Sequence, residues 1–216
     1  GGITELFRTE ADFGAAFDIA LAGYKAYVAC GGGVQIIDVS DPAAPEVLET
    51  SISIDEVWAV DVRGDHLFTA SSTEGVLIYE LGNLGGGPFQ YNDTAVFEDV
   101  AVAGDFAYLV SSDVFSNEMD LTVVDISEAV PQFRPLTGTY STPGQAVKVA
   151  VQGDYAYVAG MSRGLQFFNV SDPENPYHLG RTYIDGATCD LVVQGPYVFT
   201  ADGSDGFGIY DLSEVE

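Results

Sequence analysis

Basic residues are the scarcest class in this chain. Seven Lys and Arg stand against 33 Asp and Glu over 216 residues, a formal net charge of −26. Only Lys25 and Lys148 are lysines. A surface this poor in cations has little with which to grip phosphates, so nucleic acid is excluded as a partner. The same charge argues against anionic membrane surfaces. No apolar run approaches the roughly 20 residues that span a bilayer, so membrane insertion is not expected. Cysteine and histidine are equally sparse: Cys30, Cys189, His66 and His178 stand alone, in no metal-ligand spacing. There is no Gly-rich loop between a strand and a helix, and no plausible Ser–His–Asp set. No stretch sustains a 3.6-residue period, so helix should be nearly absent.

Such acidity suits a halophile-type solubility strategy or a secreted protein in a cation-rich medium. The alternative is a surface made for a cationic partner or for calcium. The chain opens on Gly1 and Gly2 without Met, which reads as a processing scar and leaves room for a removed export signal. An extracellular or cell-surface location is therefore expected.

What the chain has in quantity is repetition. "GVQIIDVSDPAAP" (33–45) returns almost unchanged as "GLQFFNVSDPENP" (164–176). Aligning "LAGYKAYVA", "VRGDHLFTA", "VAGDFAYLV", "VQGDYAYVA" and "VQGPYVFTA" on their glycines marks five units at Gly23, Gly64, Gly104, Gly153 and Gly195. Each unit reads as four short runs rich in β-branched and aromatic residues, separated by turn residues. Four strands per unit of about 40 residues is a propeller-blade pattern. The expectation is one all-β domain over 1–216: a five-bladed β-propeller of four-stranded antiparallel blades, with repeats near 17–58, 59–98, 99–147, 148–188 and 189–216. The last unit stops one strand short. Residues 3–12 resemble the fourth strand of unit four, and are expected to complete the last blade and close the ring, which removes exposed edges.

The patterns "DVAVAGDFAYLV" and "GVQIIDVSDPAAP" resemble the LVIVD repeat of bacterial and archaeal propeller-type proteins, often exported ones. The resemblance covers essentially the whole chain. Unit two departs from it at "YELGNLGGGPF", and unit three carries an insertion before Leu121. The family implies no settled activity, so no catalytic residue transfers from it.

Candidate site residues come from the first strands, read as alternating positions. One set, Phe17, Trp58, Glu98, Val147 and Cys189, followed by Ile19, Val60, Val100, Val149 and Leu191, should wedge between blades. The other begins Asp18, Ala59, Asp99, Lys148 and Asp190, at the mouth of the central axis. Asp61, one layer deeper, would need a partner or water if buried.

Three readings of the Asp18, Asp99, Asp190 and Lys148 ring follow. It is a solvated rim with a Lys–Asp contact. Or it binds a ligand or a hard cation, with calcium held weakly. Or it is a carboxylate-based hydrolase or lyase of glycosidase type. Trp58 could add a stacking face. The expected function is a non-enzymatic binding or interaction module for an unidentified protein, small ligand or cation, with no obligatory cofactor. The loops between second and third strands vary most and would carry specificity. The longest spans 111–120 and brings Phe115, Asn117, Glu118 and Met119. Cys30 and Cys189 are expected as free, largely buried thiols, because disulfide geometry is strict. "RGD" (63–65) reads as a turn. The sequons at Asn92 and Asn169 are short enough to arise by chance.

Overall fold

The computed structural model describes residues 14–48, 52–53, 56–91, 96–113, 118–127, 140–183 and 185–213. The strand expected to close the ring, 3–12, and the Asn92 sequon lie outside them. The chain forms two compact units, 1–93 and 94–216.

The first unit holds two blades. Blade one is β1 (Ala16–Ala22), β2 (Lys25–Cys30), β3 (Gly33–Asp38) and β4 (Glu46–Val47), with β5 (Ile52–Ser53) also paired to β3. Together β4 and β5 serve as an interrupted fourth strand. Blade two is β6 (Val57–Arg63), β7 (His66–Ser71), β8 (Gly75–Glu80) and β9 (Phe89–Tyr91).

The second unit holds three blades. Blade three is β10 (Phe97–Ala103), β11 (Phe106–Asp113), β12 (Glu118–Asp125) and β13 (Tyr140–Pro143). Blade four is β14 (Lys148–Gln152), β15 (Tyr155–Ala159), β16 (Leu165–Asn169) and β17 (Tyr177–Arg181). Blade five is β18 (Asp190–Gln194), β19 (Tyr197–Ala201) and β20 (Phe207–Asp211). Two three-residue 3-10 turns, Leu84–Gly86 and Gly203–Asp205, are the only helical segments among the described residues. The fold is thus all-β, with five propeller blades of antiparallel strands laid side by side in sequence order.

The five repeat glycines sit in the turn between first and second strands with φ of 55–64°, a left-handed backbone that favours glycine. The residue after each glycine supplies a main-chain carbonyl. It accepts the N–H of the residue that follows the third strand: Val39 to Tyr24, Leu81 to Asp65, Ile126 to Asp105, Val170 to Asp154 and Leu212 to Pro196, all at 2.7–2.8 Å. The frequent acid at that position therefore matters less than its carbonyl, and Tyr and Pro serve as well. The "RGD" segment is this turn in blade two.

Third strands end in a second repeated device. The side-chain oxygens of Asp38, Asp125, Asn169 and Asp211 accept the N–H of Ser40, Ser127, Ser171 and Ser213 at 2.8–3.0 Å. The serine hydroxyl and N–H hold the Asp38 and Asp125 carboxyls below the usual carboxylate range. Blade two has Glu80, Leu81 and Gly82 there and lacks the device. Asn169, one of the sequon asparagines, is engaged in this turn.

The cores lie between adjacent blades of one unit. Tyr27, Val34 and Ile36 of blade one meet Val57, Val60 and Leu67 of blade two. Val110, Met119 and Leu121 of blade three meet Val149, Val158 and Phe168 of blade four. Tyr157 and Leu165 of blade four meet Leu191 and Val198 of blade five. Fully buried leucines such as Leu67, Leu121 and Leu165 each contribute about 1.5–3 kcal/mol. The expected wedging residues Val60, Val100, Val149 and Leu191 are buried. Ile19 is not: it is 60% exposed, on the open face of blade one. Met119 also departs from expectation. The insertion lengthens β11 and β12, and Met119 is buried between blades three and four.

Candidate functional site

The first strands of blades one to three share an irregularity. The register slips between Ala16 and Asp18, Val57 and Ala59, and Phe97 and Asp99. Phe17, Trp58 and Glu98 are left unpaired, each the extra residue of a bulge. A bulge sets two residues opposite one and breaks the strict alternation of faces. β14 and β18 run without it.

The bulge governs where Asp18 and Asp99 go. Within the first unit, the Asp18 carboxylate accepts the main-chain N–H of Val60 in blade two at 3.1 Å. Within the second, Asp99 accepts the N–H of Val149 in blade four at 2.7 Å. Val60 and Val149 occupy the same position of their blades. First strands are sheet edges, paired on one side only, so each carries N–H groups that need partners. The aspartate of the preceding blade supplies one. Asp99 is 1% exposed and also holds the Lys148 ammonium at 3.2 Å, with the Lys148 side chain 29% exposed. The Lys–Asp contact is therefore present, but its carboxylate is buried rather than part of a solvated rim.

Blade four carries Lys148 where blades one and three carry aspartate, so it offers no acceptor to blade five. There the equivalent N–H, that of Leu191, is taken by its own neighbour Asp190 at 2.8 Å. Asp190 is exposed. Asp61 behaves similarly, accepting the N–H of Val62 at 2.7 Å while half-buried.

Trp58 is half-buried and packs on Phe17, with ring centroids 4.7 Å apart and planes tilted by 39°. Phe17 is 42% exposed, so the pair presents aromatic surface on the first unit. Glu98, the bulge residue of blade three, is half-buried, and burial pushes its carboxyl above the usual range.

Both cysteines are free. Cys30 is buried and its thiol is pushed up by burial. Cys189 is exposed, against the expectation of burial. It precedes β18, where its N–H reaches Ala201 and its thiol turns to the Ala187 carbonyl at 3.1 Å. Among the described residues, no three His, Cys, Asp or Glu side chains gather as metal ligands. No helix among them is long and apolar enough to cross a membrane.

The LVIVD repeat model matches residues 13–51, 97–130, 143–182 and 185–215, more than half of the chain. The chain belongs to the LVIVD repeat family. The four matched segments contain the four third strands that end in the Asx–Ser turn, and blade two, which lacks it, is unmatched. No curated protein matches this LVIVD chain. Among solved structures it is similar to the computationally designed Ika8 protein, at 10% identity and a TM-score of 0.70, over 92% of this chain and 58% of that one. It thus spans under two thirds of that protein. It is also similar to the computationally designed Ika4 protein, at 11% identity and a TM-score of 0.59, over 78% of this chain and 99% of that one. At these identities the likeness is one of fold alone.

Two groups in this LVIVD chain escape a first-strand reading. Asp202 is 4% exposed and accepts the hydroxyls of Thr188 and Thr200, each at 2.8 Å. This pins the loop between β19 and β20 to the start of blade five. The other group is Arg163, Arg181 and Tyr183 at the end of blade four. Arg163 lies in the loop "GMSRGL", whose variability was the one available signal.

Proposed function

We propose that this LVIVD propeller is a non-enzymatic binding or interaction module, acting outside the cell or at its surface. The observation that supports this reading is the engagement of Asp18 and Asp99 by main-chain N–H groups of the adjacent blade. A carboxylate fixed in this way, and in Asp99 also neutralised by Lys148, is poorly placed to shuttle protons or attack a glycosidic carbon. Binding surface remains on the Phe17–Trp58 pair and the loops between second and third strands. Calcium, drawn by the net charge, would bind weakly.

The test is a binding screen of the whole chain against glycans and peptides, by calorimetry, with and without calcium. It runs beside turnover assays on chromogenic glycosides. Saturable binding without turnover is expected, with Trp58→Ala or a loop substitution weakening it about tenfold. Turnover abolished by Asp190→Asn would establish the hydrolase reading instead.

A further inference from the structure

With 33 acids in the chain, a guanidinium has many possible partners. Yet two of the five arginines, Arg163 and Arg181, stand at one end of blade four. Among the described residues, neither Arg163 nor Arg181 forms an ion pair. The backbone brings them together. Beyond the last strand pair, Gln166 with Arg181, the N–H of Thr182 donates to the Leu165 carbonyl at 2.8 Å. The Leu165 N–H donates to the Thr182 hydroxyl at 3.1 Å. This lays Gly164 against Thr182 so closely that a Cβ on Gly164 would fall 2.5 Å from the Thr182 carbonyl oxygen. Arg163, the next residue out, is carried toward Tyr183. Its stem is seated over Gly144, where a Cβ would come within 2.6 Å of Arg163 Cγ.

Arg181 completes the group. Its Nη2 donates to the Tyr183 hydroxyl at 3.0 Å, and its guanidinium carbon lies 4.7 Å from the ring centroid. Tyr183 is 84% exposed. The Arg181 hydrogen bond and charge, joined by the Arg163 charge, hold its phenol below the ordinary tyrosine range, so both cations are felt at the ring. The result is an exposed aromatic ring with one guanidinium over it and a second on the adjoining loop, and forked guanidinium donors suit carboxylates.

We propose that Arg163, Arg181 and Tyr183 form a binding site for a sugar chain that carries carboxylates, of the uronic acid type. The guanidinium groups take the carboxylate, and the open face of Tyr183 takes the C–H face of the pyranose ring. A peptide carboxylate would satisfy the arginines but leave the ring without a role. The net charge of the chain repels anions at long range. At 0.15 M salt, however, charges more than about 8 Å away are largely screened, so the local pair of cations decides. The proposal rests on reading the chain as a binding module.

The test is calorimetry of the full chain with oligogalacturonate in 0.15 M salt. The comparison ligands are the same oligomer with its carboxylates reduced to alcohols, and poly-glutamate. Saturable binding of the oligogalacturonate is expected. Arg163→Ala, Arg181→Ala and Tyr183→Ala should each weaken it tenfold or more, and Tyr183→Phe less than threefold. Leu21→Ala, at an exposed position of blade one, should leave it unchanged. The reduced oligomer should bind at least tenfold more weakly. Absence of binding by the wild type overturns the proposal, as does equal binding of the reduced oligomer. So does poly-glutamate binding at equal affinity that ignores Tyr183→Ala. If other ligands bind through Trp58 while oligogalacturonate is silent, this site alone is disproved. Silence toward every ligand tried sinks the binding-module reading as well.

Discussion

Asp99 in blade three accepts the main-chain N–H of Val149 in blade four at 2.7 Å. Removing that carboxylate strands a buried donor and breaks the ion pair with Lys148. An unsatisfied buried donor costs about 1–3 kcal/mol, so Asp99→Ala should lower unfolding stability by about 2–3 kcal/mol. Asp18→Ala, at a half-buried and longer contact, should cost about 1 kcal/mol. Asp190→Ala, exposed and, among the described residues, accepting only from the adjacent Leu191 N–H, should cost less than about 0.5 kcal/mol, in the usual range for surface substitutions. Urea midpoints of the three variants check the order. A ring of equivalent ligand carboxylates would give three similar, small losses.

His178 lies against Tyr140 and Phe168, with centroids 5.8 and 5.0 Å away, and its buried Nε2 has no hydrogen-bond partner among the described residues. Burial, then the charge of Arg181, lowers its pKa below the ordinary 6.5. The unfolded chain therefore takes up a proton below pH 6.5 that the folded chain refuses. Stability from this group is complete above 6.5 and declines as pH falls toward the folded pKa. His178→Phe should remove that component. Melting temperatures from pH 7.5 to 5 should show the wild type losing ground relative to the variant. Parallel profiles would contradict this account.

At the turn between β10 and β11, Gly104 has φ of 64° and the next residue contributes only its carbonyl. Gly104→Ala should cost about 1–2 kcal/mol, the penalty of a left-handed backbone for an L-residue. Asp105→Ala should fall within about 0.5 kcal/mol of wild type. Chemical denaturation of both variants decides whether the acid or the main chain carries the turn.

Alkylation distinguishes the thiols. Iodoacetamide on the folded protein should add one adduct, at Cys189. Cys30 should react only after unfolding, being 3% exposed with a raised pKa. Two adducts at equal rates under native conditions would contradict the burial of Cys30.

The blades were legible because their signals are local. A glycine needed for a left-handed turn, two strands beside it and an Asx–Ser stop recur within a few residues of each other. Burial of Val60, Val100, Val149 and Leu191 followed from alternation alone. The roles of Asp18 and Asp99 did not. A bulge at Phe17 and Glu98 breaks the period that any face assignment uses, and nothing in the letters "FD" or "ED" announces it. The partner of Asp99, Val149, is 50 residues away and is engaged through its backbone. The Arg163–Arg181–Tyr183 group was hidden for a related reason: it joins a loop to the end of a strand through the close approach at Gly164.

The carbonyl that closes each hairpin has a consequence for how this chain can change over generations. A link made by main-chain atoms places no demand on the side chain that happens to own them. Mutation can run freely through that position, to Tyr24 in one copy and Pro196 in another, while the link itself is kept. Duplicated copies can then diverge in vocabulary and stay alike in how their turns are tied. Kinship among them survives in the turn glycines and the link beside them longer than in the residues those glycines separate.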